Sequence, residues 1–111
     1  MSEKELQKAV IELCHGLGFR VAHFCSAPVR SGKWVTPVVA DSSGFPDLVI
    51  AGHGVVAFAE LKGDRKYPQP KQREWIELLR ECGLPVFIWK PKDWTSGVVE
   101  SALVHLMSEG A

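Results

Sequence analysis

The sequence predicts an α/β domain, a mixed β-sheet flanked by helices in the order α-β-β-β-α-β-α. Three features point that way. Apolar residues recur at helical spacing near the N-terminus, after residue 70 and near the C-terminus. Two short apolar runs meet at Gly52-His53-Gly54, the composition of a tight turn between strands. A further apolar run, Val86 to Trp89, follows the second helix. The chain has 111 residues, 46% of them apolar, which suits one domain with one modest core.

Each element has its own signal. Ser2 followed by Glu5 has the form of a capping box. Leu6, Ala9, Val10, Leu13, Cys14 and Leu17 then mark the apolar stripe of a first helix, which Gly18 ends. Phe19 to Cys25 reads as a strand. Residues 26–43 contain Pro28, Gly32 and Pro37 and form a long loop, or a loose hairpin around Trp34–Val39. Asp47 to Ala51 is a short apolar strand, and Val55 to Leu61 is its return. Pro68 and Pro70 lie just before a second helix over roughly residues 70–82, stopped by Gly83-Leu84-Pro85. Val86 to Trp89 is the fourth strand. Asp93 to Ser96 offer caps for a last helix carrying Val99, Ala102, Leu103, Leu106 and Met107.

Composition excludes some classes of function. No stretch approaches the roughly 18 apolar residues of a membrane span. The start, Met-Ser-Glu-Lys-Glu, is not a secretory signal. Three cysteines, Cys14, Cys25 and Cys82, lack CxxC spacing and suggest reduced thiols in a cytosol. Net charge is zero, which argues only against a wholly basic surface. Between residues 62 and 73, Lys62, Arg65, Lys66, Lys71 and Arg73 face a single acid, Asp64. Such a run is either a solvated loop or a local patch for the phosphate backbone of a nucleic acid.

The chemistry concentrates in two adjacent strands. Asp47 opens one, and Glu60 and Lys62 close the next. Glu60 and Lys62 are two apart, so they share a face while Leu61 turns to the other. With His53 and Gly54 as a two-residue turn, Asp47 falls directly opposite Glu60, where Cβ atoms lie about 4.5–5.5 Å apart, whereas a three-residue turn shifts the pairing by one. Two carboxylates that close repel, and a hard divalent cation between them removes the penalty. Taken singly, Asp47 after Pro46 is a turn residue, and Glu60 and Lys62 are polar positions on a half-wet strand. Together they make a sharper pattern.

Gly44-Phe45-Pro46-Asp47, followed after twelve residues by Glu60-Leu61-Lys62, resembles the active-site signature of the PD-(D/E)XK nuclease superfamily. The nearer resemblance is to its VRR-NUC family. It extends to Glu5, to Leu48 and Gly63 beside the two motifs, to Gln72 and Trp75, and to the strand ending Val86-Phe87-Ile88-Trp89-Lys90-Pro91. Residues 26–43 depart from it. The resemblance implies a restriction-endonuclease-like αβββαβ core with an extra C-terminal helix. It implies a Mg²⁺- or Mn²⁺-dependent endonuclease whose small members act as homodimers on branched DNA, as Holliday junction resolvases do. A bacterial or phage-infected cytosol is the setting it implies. Larger relatives cut flaps.

The expected roles follow. Asp47, Glu60 and the Leu61 carbonyl hold the metal, and Lys62 stabilises charge on the scissile phosphate. Gln72 lies on the same stripe as Trp75, Ile76 and Leu79, and a buried amide needs partners, which either an active site or the local backbone would supply. Glu5 lies at the border of the first helix's stripe, where a catalytic role and the capping box with Ser2 compete; Glu12 is the fallback. His23 and His53 are weak ligand candidates. Arg30 and Lys33 flank Trp34, a combination suited to stacking on unpaired bases. The alternatives for Trp34 with Val35, Val38 and Val39 are a dimer interface or an extra hairpin on the domain's own core. The alternatives for the whole chain are a catalytically silent DNA-binding or assembly module, a flap nuclease acting as a monomer, and a non-DNA enzyme built on paired carboxylates, which the basic run from Lys62 to Arg73 disfavours.

Overall fold

The computed structural model describes residues 1–24, 27–28, 34–35 and 40–110, with the four residues at 27–28 and 34–35 described by backbone alone. Helix α1, Glu3–Gly16, begins at the capping box that the sequence predicts: Glu5 N donates to Ser2 Oγ at 3.1 Å, and Ser2 N donates to Glu5 Oε1 at 3.0 Å. Strand β1, Arg20–His23, is shorter than the expected residues 19–25. Phe19 is already buried ahead of it. Beyond it, Phe24 N still donates to Asp47 O at 3.0 Å, so the chain stays alongside the next strand.

Within the expected loop, β2 (Ala27–Pro28) and β3 (Trp34–Val35) pair as a minimal antiparallel ladder, Pro28 opposite Trp34. The expected function of Arg30, Lys33 and the Trp34 side chain falls outside the described residues, as do Val38 and Val39. Strands β4 (Leu48–Gly52) and β5 (Val55–Leu61) form the central hairpin. Its turn is His53-Gly54, with φ of 53° and 81°. Positive φ at both central residues is the type I′ signature, whose twist matches that of paired strands. Helix α2, Pro70–Glu81, then crosses over to β6, Val86–Trp89, which pairs parallel to β5. The sheet order is β1-β4-β5-β6.

The last helix departs from expectation. Residues 93–96 do not cap it. They belong to a short helix α3, Pro91–Thr95, in which Asp93 accepts from Lys90 N at 2.8 Å. Gly97, at φ 83°, turns the chain into α4, Val98–Glu109. A one-and-a-half-turn helix shows no apolar period, so its polar caps read as those of its neighbour.

The sheet is covered on both faces. Leu48, Ile50, Ala57, Ala59 and Leu61 point to one face and pack with Leu6, Val10 and Cys14 of α1 and Val99, Leu103 and Leu106 of α4. Phe58 points to the other and packs with Ile76 and Leu79 of α2 and Val86, flanked by Phe45, Val49 and Trp75. Burial pushes the Cys14 thiol up to about 11, so it is inert packing. No helix among the described residues is long and apolar enough to cross a membrane.

Candidate active site

The hairpin register fixes the site. The ladder runs from Gly52 opposite Val55 to Leu48 opposite Ala59, and one step beyond its open end Asp47 stands opposite Glu60. This is the pairing that a two-residue turn predicts. Strand alternation puts Asp47 with Val49, and Glu60 with Phe58, on the face covered by α2.

Asp47 is held from both sides. The turn before it is anchored by Phe45, whose ring meets Trp75 at 5.0 Å and Phe58 at 5.8 Å, both edge to face. Gly44 has φ 84°, and a Cβ there would lie 2.6 Å from the Lys71 carbonyl carbon. Only glycine lets the turn sit this close to α2. Asp47 Oδ2 accepts from Leu61 N at 2.9 Å, which clamps the two strands at their open end.

Glu60 is 1% exposed. Its Oε1 takes Gln72 Nε2 at 3.3 Å and lies 3.8 Å from Lys62 Nζ. Its Oε2 is buried and meets no N–H or hydroxyl donor. Desolvation first, then a side-chain hydrogen bond with Asp47 and the like charge of that group, push the Glu60 carboxyl up to about 8; the Lys62 ammonium pulls the other way. Without metal the proton satisfies this group; once ionised, it calls for a stronger counter-charge than one ammonium at 3.8 Å. Hard oxygen donors of this kind suit Mg²⁺ or Mn²⁺, so the pair fits the ion that the motif implies. Among the described residues, no three His, Cys, Asp or Glu side chains gather as a metal cluster.

The chain matches no protein-family model and no curated protein sequence. The site is therefore read from its own geometry. Gln72 is brought in as the α2 stripe predicts, and its Oε1 also accepts from Gln69 N at 2.7 Å. Glu5 is instead occupied by the Ser2 cap, whose backbone N–H holds its carboxyl below the usual range. The α1 carboxylate that reaches the site is Glu3: its Oε1 accepts from Gly63 N at 3.2 Å, and its charge adds to the pressure on Glu60. Glu3 lies three residues before Leu6 and seven before Val10, on the extension of the buried stripe, and that spacing is the signal that points to it. Glu12 is exposed on α1.

The other candidates scatter. His53 sits at the far end of the hairpin, its Nε2 2.7 Å from Leu17 O and its ring edge to face with Phe19. His23 pairs with Leu48, so it lies on the face away from Asp47. Arg65 and Lys66 are exposed. Lys71 and Arg73 line different cavities, so the basic run does not close into one patch.

Proposed function

We propose that the chain is a metal-dependent phosphodiesterase of the PD-(D/E)XK type, a DNA endonuclease similar to the VRR-NUC family. The observation that carries this reading is the buried Glu60 carboxyl set directly against Asp47, a pair that only a shared proton or a cation can hold together. A carboxyl pair kept only for stability would be better replaced by apolar side chains. Asp47, Glu60 and the Leu61 carbonyl are the groups that would hold Mg²⁺ or Mn²⁺. Such an ion, when bound, supplies Lewis acidity and makes water a nucleophile near neutral pH.

The chain's own residues do the rest. Gln72 fixes the rotamer of Glu60 from α2. The Leu61 N–H fixes Asp47. The Lys62 side chain, 14% exposed, is open enough to meet a phosphate oxygen and close enough to the pair to share its field. In the reaction, water attacks phosphorus in line with the leaving oxygen; its proton passes to solvent or a carboxylate, the P–O bond to the leaving oxygen breaks, and that oxygen takes up a proton from solvent. Branched DNA and a homodimer belong to this reading through the family resemblance, since two-fold symmetry matches the two equivalent strands of a four-way junction. A cytosolic setting fits the free thiols of Cys14 and Cys82.

The test is cleavage of labelled four-way junction, flap and duplex DNA with Mg²⁺, Mn²⁺ or chelator, beside light scattering at micromolar concentration. Cutting is expected with metal alone, strongest on the junction, by a dimer. Folded Glu60→Ala, Asp47→Ala and Lys62→Ala proteins are expected to lose it. Full cleavage in excess chelator, or by the folded Glu60→Ala protein, overturns the reading. Metal-independent DNA binding without cleavage leaves the silent module in its place.

A further inference from the structure

A second charged site lies one strand away from the carboxyl pair. Between α2 and the β6 edge is a cavity of about 360 Å³ whose lining includes Tyr67, Arg73, Glu77, Arg80, Ile88 and Lys90. Three of these are cations, and Glu77 is the one acid in the lining. The centre of the arrangement is Lys90, which is only 7% exposed. Its ammonium lies 3.8 Å from the centroid of the Tyr67 ring and reaches the Asp64 carbonyl at 3.5 Å. Among the described residues it forms no ion pair. Desolvating an ammonium costs several kcal/mol unless an anion or a full set of acceptors replaces the water. One ring face and one long hydrogen bond fall short of that. Arg73 and Arg80 are each tethered through one N–H, Arg73 Nε to Pro68 O at 3.2 Å and Arg80 Nη2 to Val86 O at 2.7 Å. Each fork keeps further donors.

The sheet sets where this cavity lies. In the parallel β5–β6 ladder Glu60 pairs with Ile88, and Lys62 N donates to Trp89 O at 3.0 Å. Lys90 therefore continues beside Lys62 at the same end of the sheet, on the α2 face that carries Glu60 and Ile88. Adjacent strands are about 4.8 Å apart. A polyanion lying across this end of the sheet meets the Lys62 and Lys90 positions in succession.

We propose that the Lys90 cavity is a second phosphate site, which grips a phosphate of a nucleic-acid strand beside the one held at Asp47 and Glu60. Its place beside a scissile bond rests on the nuclease reading; its affinity for phosphate does not. Lys90 supplies the desolvated charge, Arg73 and Arg80 supply the forked donors, and Tyr67 keeps water off the ammonium.

The test is fluorescence-anisotropy binding in chelator, with short single-stranded oligonucleotides of one sequence carrying a 5′-phosphate, a 3′-phosphate or neither. Lys90→Met keeps the buried stem and removes the charge. It is expected to weaken binding about tenfold, the loss of one charge-assisted contact. The slope of log K against log salt is expected to fall by about 0.7. Metal-free stability should hold or rise, because a lone buried charge is gone. Arg73→Gln, at an exposed position, should weaken binding in the same direction, and it decides the matter should Lys90→Met not fold. An equal loss on all three oligonucleotides identifies an internal phosphodiester as the ligand; a loss confined to one phosphorylated form identifies a terminal phosphate. Wild-type affinity and salt slope in both variants overturn the proposal, as does a wild-type protein that binds none of the oligonucleotides. Cleavage is scored separately. Phosphate-dependent binding without cutting removes the nuclease reading alone, and cutting with unaffected variants removes the second site alone.

Discussion

Glu60 keeps its proton to about pH 8 in the folded chain, against about 4.5 for an ordinary glutamate, because it is desolvated beside Asp47. Below pH 4.5 both folded and unfolded chains carry that proton, and its contribution to stability is complete. As pH rises from 4.5 towards 8, only the unfolded chain gives it up, so metal-free stability falls across that window and then levels. Each pKa unit of difference corresponds to about 1.4 kcal/mol. Urea midpoints measured in chelator from pH 4.5 to 9 should show this fall, and Glu60→Gln should flatten it. Mg²⁺ should oppose the fall by binding the ionised pair. Stability that climbs across the window would mean that Glu60 is ionised and paired with Lys62. Asp47→Asn tests the same pair from the other side. The asparagine carbonyl oxygen can still accept from Leu61 N, and one like charge disappears, so metal-free melting temperature should hold or rise while Mg²⁺ stabilises the variant less than wild type. Asp47→Ala adds the loss of that acceptor, about 1–3 kcal/mol for a stranded N–H. A clear fall in the asparagine variant would give Asp47 a structural role as a charged acceptor.

At the scale of elements, the contact that locates the carboxyl pair is the turn at Gly44 pressed against α2. Gly44→Ala forces a left-handed residue and drives a methyl group into the Lys71 backbone. The expected loss is about 2 kcal/mol or more, read from the urea midpoint. Cleavage should drop as well, because Lys71 adjoins Gln72. A variant as stable and active as wild type would show that the turn has another way to sit. The elements also show what a sequence can and cannot reveal. The β4–β5 hairpin was legible because alternation and a two-residue turn leave a single register that buries one face, and Asp47 and Glu60 came with it. Gln72 was legible because an amide interrupts an apolar stripe. Glu3 lies on the α1 stripe but carries no motif, whereas Glu5 matches both the capping box and the family motif; hydrogen bonding to Ser2 occupies Glu5 instead. The short α3 had no period to read. Lys90 is legible only as part of the strand end that carries the resemblance; its burial is not, because that depends on Tyr67 folding over it from a distant loop.

Across the whole molecule, the candidate site draws on four separated parts of the chain: Glu3 from α1, Asp47 before β4, Glu60 and Lys62 from the end of β5, and Gln72 from α2. No local fragment can build it, and it is complete only when both faces of the sheet are covered. The hairpin at its centre also orders events in time. Zipping is expected to start at His53-Gly54, where the loop to be closed is shortest, and to proceed rung by rung along the observed register to Leu48 and Ala59. Asp47 and Glu60 meet last, after nearly all the pairing between the two strands is made. On that order of zipping, their repulsion is expected to fall after the folding barrier rather than before it. In metal-free stopped-flow chevrons, raising pH from 5 to 9 should lift the unfolding arm and leave the refolding arm nearly in place. A refolding arm that slows instead would put the carboxylates in contact within the nucleus. With the unfolding arm governed by the last rungs, metal binding would act as a latch that lengthens the lifetime of the native state and leaves the speed of reaching it unchanged.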